Sequence, residues 1–306
     1  MHRPPVHAVR APLALSLAIL AAPLAAQEPD TTHRTAIVSA FPPEIAALQD
    51  GLSDTATQTL NGVTFTTGQM EGQPVVMFMS GVSMVNAAMT TQLALDHFSI
   101  DRILFSGIAG GVDPDLAIGD VVVPGQWGQY LQGVAARDTD GAFAIPPWMT
   151  SEFPNFGMTF TVPFGVMADG LTEPDMRFWF PVDPDLLALA QTVAADVTLS
   201  DCTPERACLT EAPKIVVGGN GVSGPMFVDN ADLRRHAFAT FDAQVLDMES
   251  AAVAQVAFAN DVPFIAFRSL SDLAGGGEGA NEMGTFMALA ATNAATVIRA
   301  VVAALD

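Results

Sequence analysis

From Thr35 to Leu305, short apolar runs that read as buried strands alternate with stretches whose apolar residues recur at helical spacing. That alternation leaves few architectures open. The expected strands are Thr35 to Ala40, Arg102 to Ser106, Val121 to Val123, Lys214 to Val217, Val245 to Leu246 and Pro263 to Ser269. Helices are expected from Pro42 to Leu48, where paired prolines suit a first turn, and from Met84 to Phe98. Three more are expected near Asp232 to Phe238, from Glu249 to Ala259 and from about Glu282 to Leu305. Val63 to Gly68 and Pro74 to Ser80 read as a strand pair. The fold class that follows is α/β: a single domain with a mostly parallel or mixed central sheet and helices on both faces. Sheets of this kind bind ligands at the carboxyl ends of their strands.

Residues 1–26 read as a secretory signal, with Arg3 and Arg10 in a basic leader, an apolar run from Ala11 to Leu24, and Ala25 and Ala26 before the polar Gln27. The run is 14 residues, short of the roughly 20 that a transmembrane helix needs, and an uncleaved N-terminal anchor is the alternative reading. Residues 27–306 then form one domain, periplasmic or secreted, with no membrane attachment once the signal is gone. Half of the residues are apolar and 15% are charged, the balance of an ordinary globular protein. The formal net charge of −21 becomes more negative when Arg3 and Arg10 leave, and such a surface repels nucleic acid and anionic lipid. A small uncharged or cationic ligand suits it better, although solubility or salt adaptation also explains the acidity. Cys202 and Cys208 are close in sequence in a chain bound for an oxidising compartment, so a local disulfide is expected between them. Two cysteines without a nearby histidine are too few for a zinc shell, and neither a metal nor a cofactor is expected.

Residues 125–185 interrupt the alternation. They are rich in Pro and Gly and hold about half of the aromatic residues, among them Trp127, Trp148, Phe178, Trp179 and Phe180. A segment so aromatic is a lid and pocket wall, a subunit interface, or an insertion packed on its own domain.

Several chemistries have no support in the sequence. There is no phosphate loop, no His-Glu-x-x-His zinc helix, no Gly-x-Ser-x-Gly elbow, and Gly107 to Gly111 lacks the spacing of a dinucleotide fingerprint. Of the five histidines only His97 and His236 fall on expected helices of the domain, where a surface or core-edge place suits them. Two carboxylates stand out at strand ends. Asp272 follows the strand from Pro263 and precedes Gly275-Gly-Gly277, and on sequence alone it is either a crevice-mouth acid or a turn cap. Glu249 opens a helix directly after a strand, as a site residue or as a first-turn Glu on the helix dipole.

Four stretches narrow this. Ser80-Gly-Val-Ser-Met-Val-Asn-Ala87, Ser106-Gly-Ile-Ala-Gly-Gly111 with Ile118-Gly-Asp-Val-Val122, Val245-Leu-Asp-Met-Glu-Ser-Ala-Ala252, and Pro263-Phe-Ile-Ala-Phe-Arg-Ser-Leu-Ser-Asp272 stand in this order. In order and spacing they resemble the purine nucleoside phosphorylase and uridine phosphorylase superfamily, and within it most of all the methylthioadenosine/S-adenosylhomocysteine nucleosidases. The tail Leu273-Ala-Gly-Gly-Gly277 and the loop from Asn220 to Asn230 also resemble the plant bark-storage relatives. The resemblance implies a nucleoside phosphorylase-like domain without a cofactor, active as a homo-oligomer (dimer or higher) on a small purine nucleoside. It further implies that Asp272 protonates purine N7, that Arg268 places the nucleophile and that Glu44 is the base for water. Glu249 then binds the ribose hydroxyls, Met248 packs under the sugar, Phe227 and Val228 hold the base, and Ala109 and Gly110 of the glycine turn line the substrate. One departure is Ile108, which stands where nucleosidases commonly carry a hydroxyl residue.

The chemistry agrees with that placement. Cleaving the bond between C1′ and N9 leaves positive charge on ribose and negative charge on purine, so a proton donor is needed at the base and carboxylate density at the sugar. Water also needs a base, which Glu44 supplies, whereas phosphate needs cationic donors. The segment Ala40-Phe-Pro-Pro-Glu44 has no cation, and Lys214 is the sole lysine. The expected reaction is hydrolysis of purine nucleosides, adenosine-like or 5′-modified such as methylthioadenosine. The alternatives are a phosphate-dependent phosphorylase and a non-catalytic nucleoside-binding or storage protein.

Overall fold

The computed structural model describes residues 30–277 and 279–305, and the expected signal at 1–26 lies outside them. One sheet of twelve strands forms the body. Its first half is β1 (Asp30–Ser39), α1 (Pro42–Gln49), β2 (Leu52–Leu60), β3 (Val63–Met70), β4 (Gln73–Met79), α2 (Met84–His97) and β5 (Phe98–Gly111). There follow β6 (Val121–Val123), β7 (Gln126–Gln129), β8 (Trp179–Pro181), α3 (Pro184–Val193), β9 (Ile215–Val217) and β10 (Asn220–Ser223). The chain ends with α4 (Ala231–Phe241), β11 (Ala243–Asp247), α5 (Ser250–Ala259), β12 (Phe264–Asp272) and α6 (Met283–Ala303).

The long strand β5 organises the sheet. One edge pairs in parallel with β1, and the other pairs in parallel with β12 from Ile103 to Gly110. Its last residues, Gly110 and Gly111, also pair antiparallel with β11. Two arms therefore leave β5: β12 to β6 and β9, and β11 to β10, β7 and β8. The chain passes between the arms at Pro124 and Gly125, from β6 into β7, so the strand ends ring one crevice. Beyond β1 the meander β4–β3–β2 is antiparallel outside its first pairing, which makes the sheet mixed.

Packing follows from burial. Every residue of β12 is buried, as are Ile103 to Gly111 of β5, which is why both carry apolar runs, Phe264 to Phe267 and Ile103 to Phe105, ahead of the polar residues that reach the site. Helix α6 is long and apolar enough to cross a bilayer, but it lies along β5 and β12 with α1 and α3 against it. Helices α2 and α5 pair with each other elsewhere on the sheet. Each fully buried Ile, Leu or Phe of this core, such as Leu104 or Phe267, contributes roughly 1.5–3 kcal/mol.

The segment 125–185 packs on its own domain. Trp127, Tyr130 and Phe180 are buried, Phe178 stacks on Phe241 of α4, and Phe153 packs tilted against the same ring. The cavity described below has no lining residue from it. Cys202 and Cys208 are bonded to each other.

Candidate active site

A cavity of about 420 Å³ opens where the carboxyl ends of the strands meet. Its walls are mostly apolar, with four acids among the lining residues: Glu44, Asp247, Glu249 and Asp272. Each acid is placed by its own stretch of backbone.

Glu44 sits in the first turn of α1, which Pro42 and Pro43 start directly after β1. Its Oε2 accepts the Ala40 N–H at 2.7 Å and its Oε1 the Ile108 N–H at 2.7 Å. Burial pushes its carboxyl above the ordinary value, against Arg268 and these amides, which pull it down. A buried carboxylate with a raised pKa is a better base than an exposed one.

Arg268 lies behind the cavity wall on β12 and is fully buried. Its Nε is 2.8 Å from Asp247 Oδ2 and donates to Ser250 Oγ at 3.0 Å, and its Nη1 donates to the Ile108 carbonyl at 3.4 Å. Nη1 is 3.9 Å from Glu44 Oε1, Nη2 is 3.7 Å from Glu249 Oε2, and the guanidinium lies over the Phe105 ring. Nη2 is buried without a hydrogen-bond partner, a donor free for a bound molecule. Only a glycine fits opposite: a Cβ on Gly107 would stand 2.0 Å from Nη1 and 2.7 Å from Glu44 Oε1.

Glu249 does not cap α5, so the first-turn reading gives way. Asp247 Oδ1 accepts the N–H groups of Glu249 and Ser250 at the helix start, which frees the Glu249 side chain to reach the Ser83 N–H at 2.8 Å. Ser83 holds φ +78°, a left-handed backbone that few non-glycine residues adopt. Burial is the main cause lifting Glu249 to about 7; Arg268 opposes it, and Asp247 and Glu44 add to it.

Asp272 ends β12. Both readings of it hold in part: Oδ1 takes the Ala274 N–H at 2.9 Å, a turn contact, yet the carboxyl lines the cavity. Oδ1 also meets Asn281 Nδ2 at 3.3 Å, and Oδ2 accepts Ser271 Oγ at 2.9 Å. Burial raises its pKa, the direction an acid catalyst requires.

The remaining expected residues converge on the same cavity. Met248, Phe227, Val228, Ala109 and Gly110 all line it. Ile108 lines it too, its side chain packed with Ala290 and Ala291 while its backbone serves Glu44 and Arg268. His97 and His236 do not line it. Sequence reasoning missed Asp247, Ser83, Asn281 and the wall residues Phe41, Val82, Met226 and Met283. Asp247 carried a signal, a carboxylate closing a strand two residues before Glu249; the Ser83 contact is a backbone one and carried none.

Fold and cavity together define an enzyme-like site, a small apolar pocket with acid–base groups at its edge. Residues 34–303 match the phosphorylase superfamily, and the chain belongs to that family. The 5′-methylthioadenosine/S-adenosylhomocysteine nucleosidase of Marinomonas sp. (strain MWYL1) is 30% identical over 263 residues, 86% of this chain and 95% of that protein. The protein of the same description from Mycobacterium tuberculosis (strain CDC 1551 / Oshkosh) is 27% identical over 263 residues, 86% of this chain and 94% of its own. The crystal structure of such a nucleosidase from Colwellia psychrerythraea 34H, in complex with adenine, superposes with a TM-score of 0.67 at 25% identity, covering 90% of this chain and 96% of that one.

Proposed function

We propose that this protein hydrolyses the N-glycosidic bond of purine nucleosides, adenosine-like or 5′-modified such as methylthioadenosine, and releases the free base. Phe227 and Val228 hold the purine, Glu249 and Met248 the ribose. Glu44 takes a proton from water held near Arg268 Nη2, and the water oxygen bonds to C1′. The pair of electrons of the C1′–N9 bond leaves with the purine, which takes a proton from Asp272 at N7. The products are free purine and a sugar bearing a hydroxyl at C1′.

The charge of the cavity wall carries this reading over phosphorolysis. Its lining residues include four carboxylic acids and no Lys, Arg or His. The one guanidinium nearby, Arg268, is already shared among Glu44, Asp247 and Glu249. A phosphate dianion would meet uncompensated negative charge, whereas neutral water would not. A storage role leaves two carboxyls with burial-raised pKa at opposite tasks unexplained.

The protein acts as a homo-oligomer in the periplasm or outside the cell, after loss of residues 1–26. Exposed Val82, Val85 and Met89 form an apolar stripe that begins at the cavity mouth, a surface that a second copy would cover. Incubation with a panel of purine nucleosides, followed by chromatography of the bases, tests the activity. Release of adenine is the expected result, and an inert protein refutes it.

A further inference from the structure

Asp247 closes β11 and lines the cavity, yet it neither moves a proton nor holds the base or the ribose. Its two oxygens divide their contacts. Oδ2 lies 2.8 Å from Arg268 Nε and takes a longer share of the Ser250 N–H at 3.4 Å, while Oδ1 accepts the Ser223 hydroxyl and the N–H groups of Glu249 and Ser250, both at 3.2 Å. One side chain thus grips the guanidinium and the peptide that carries Glu249.

The geometry constrains Arg268 further. With Nε held by Asp247 and Ser250 Oγ, the guanidinium plane is fixed. Nη1 then faces Glu44 and the Ile108 carbonyl, and Nη2 faces Glu249 with its donor capacity unspent. Without the Asp247 carboxylate only Ser250 Oγ would hold Nε, and the guanidinium would turn toward Glu44 and Glu249, the nearest remaining carboxylates, and spend that donor on them.

We propose that Asp247 is a positioning residue for glycosidic cleavage: it locks Arg268 so that Nη2 is offered to the attacking water between Glu44 and Glu249. The inference rests on the nucleosidase reading. Its charge has a second effect, through Glu249. The groups facing Glu249 are Arg268 on β12, Asp247 on β11, Glu44 on α1 and the Ser83 amide before α2. Asp247 and Glu44 raise the Glu249 pKa, and Arg268 lowers it. Removing the Asp247 charge therefore moves Glu249 to lower pH, and an Arg268 drawn closer moves it the same way.

Asp247→Asn is the test, because an amide oxygen in the place of Oδ1 still accepts the Glu249 and Ser250 N–H groups, while an NH2 replaces the charged Oδ2 acceptor beside Arg268 Nε. With methylthioadenosine as substrate, kcat should fall about 10- to 100-fold, the range for a hydrogen bond to a charged group. The acidic limb of the kcat/KM profile should move to lower pH. The lost charge shifts the limb through Glu249 whatever Arg268 does, so the fall in kcat carries the positioning role: a merely structural side chain would lower the thermal midpoint and leave kcat of the folded protein where it was. An unchanged kcat, or an unmoved limb in folded protein, overturns the proposal. If Asp247→Asn does not fold, Asp247→Glu keeps the charge with altered reach: a lower kcat with the limb in place supports the assignment, and an unaltered kcat overturns it. Wild-type protein inert on every nucleoside removes the nucleosidase reading itself; active wild type with an unshifted variant removes only the role of Asp247.

Discussion

Asp272→Asn separates acid catalysis from the architecture that holds it. In the folded protein Oδ1 takes the Ala274 N–H at 2.9 Å and Asn281 Nδ2 at 3.3 Å, and an amide oxygen at that position keeps both contacts. Only the Ser271 hydroxyl, which donates to Oδ2 at 2.9 Å, loses its acceptor, and the Ala109 carbonyl at 3.4 Å remains for it. The structural loss is one hydrogen bond, about 1 kcal/mol. The catalytic loss is the transferable proton, about 10²- to 10⁴-fold in rate, or about 2.7–5.4 kcal/mol of barrier. Stability moves the other way with pH. Burial raises the Asp272 pKa, so its contribution to stability is full below the ordinary carboxylate value and is lost as pH rises through the folded value. Asparagine escapes that loss, so the thermal midpoint of the variant in alkaline buffer should stay close to that of wild type. The assay compares kcat/KM on methylthioadenosine with that on a nitrophenyl riboside, whose leaving group needs no proton. The first should collapse and the second should fall far less. Equal losses on both substrates at an unchanged midpoint would show that Asp272 is not the leaving-group acid.

Three further outcomes follow from the site and its supports. Glu249, lifted to about 7, must be ionised to hold the ribose, so kcat/KM should fall as pH drops through about 7, and Glu249→Gln should abolish that limb along with most activity. The stability term has the opposite sense, present at acid pH and lost as pH rises toward 7, which thermal melts across the same buffers would show. Ser83→Gly should stabilise the fold by about 1 kcal/mol, because relief of a left-handed serine outweighs the added freedom of glycine in the unfolded chain; a lower midpoint would contradict it. Opening the Cys202–Cys208 bond by serine substitution should cost about 2 kcal/mol, the loop-closure value for so short a loop, and two free thiols in unreduced protein from the periplasm would remove the premise.

What the sequence revealed and what it hid have physical reasons. Strands buried on both faces, β1, β5 and β12, announce themselves as apolar runs, and the helices beside them by period. Strand β2 was not expected: Leu-Ser-Asp-Thr-Ala-Thr-Gln-Thr-Leu lies at the sheet edge, is mostly exposed and has no apolar face to show. Helix α3 was legible and overlooked, since Asp183 before Pro184 caps it through the Asp185 and Leu186 N–H groups. The strands within 125–185 are three or four residues each, too short for any periodicity. At the site, Glu249 and Asp272 stood out as carboxylates at strand ends, and the family resemblance gave them tasks and added Glu44 and Arg268. Ser83 serves through its amide, and a backbone contact across 166 residues leaves no mark in the chain.

Water, and not phosphate, accepts the sugar. Incubating the purified protein with methylthioadenosine in buffers with and without inorganic phosphate, and separating the free sugar from its 1-phosphate, tests it most directly. The acidic cavity predicts free sugar at the same rate in both buffers. A sugar 1-phosphate, formed only when phosphate is present, would contradict it.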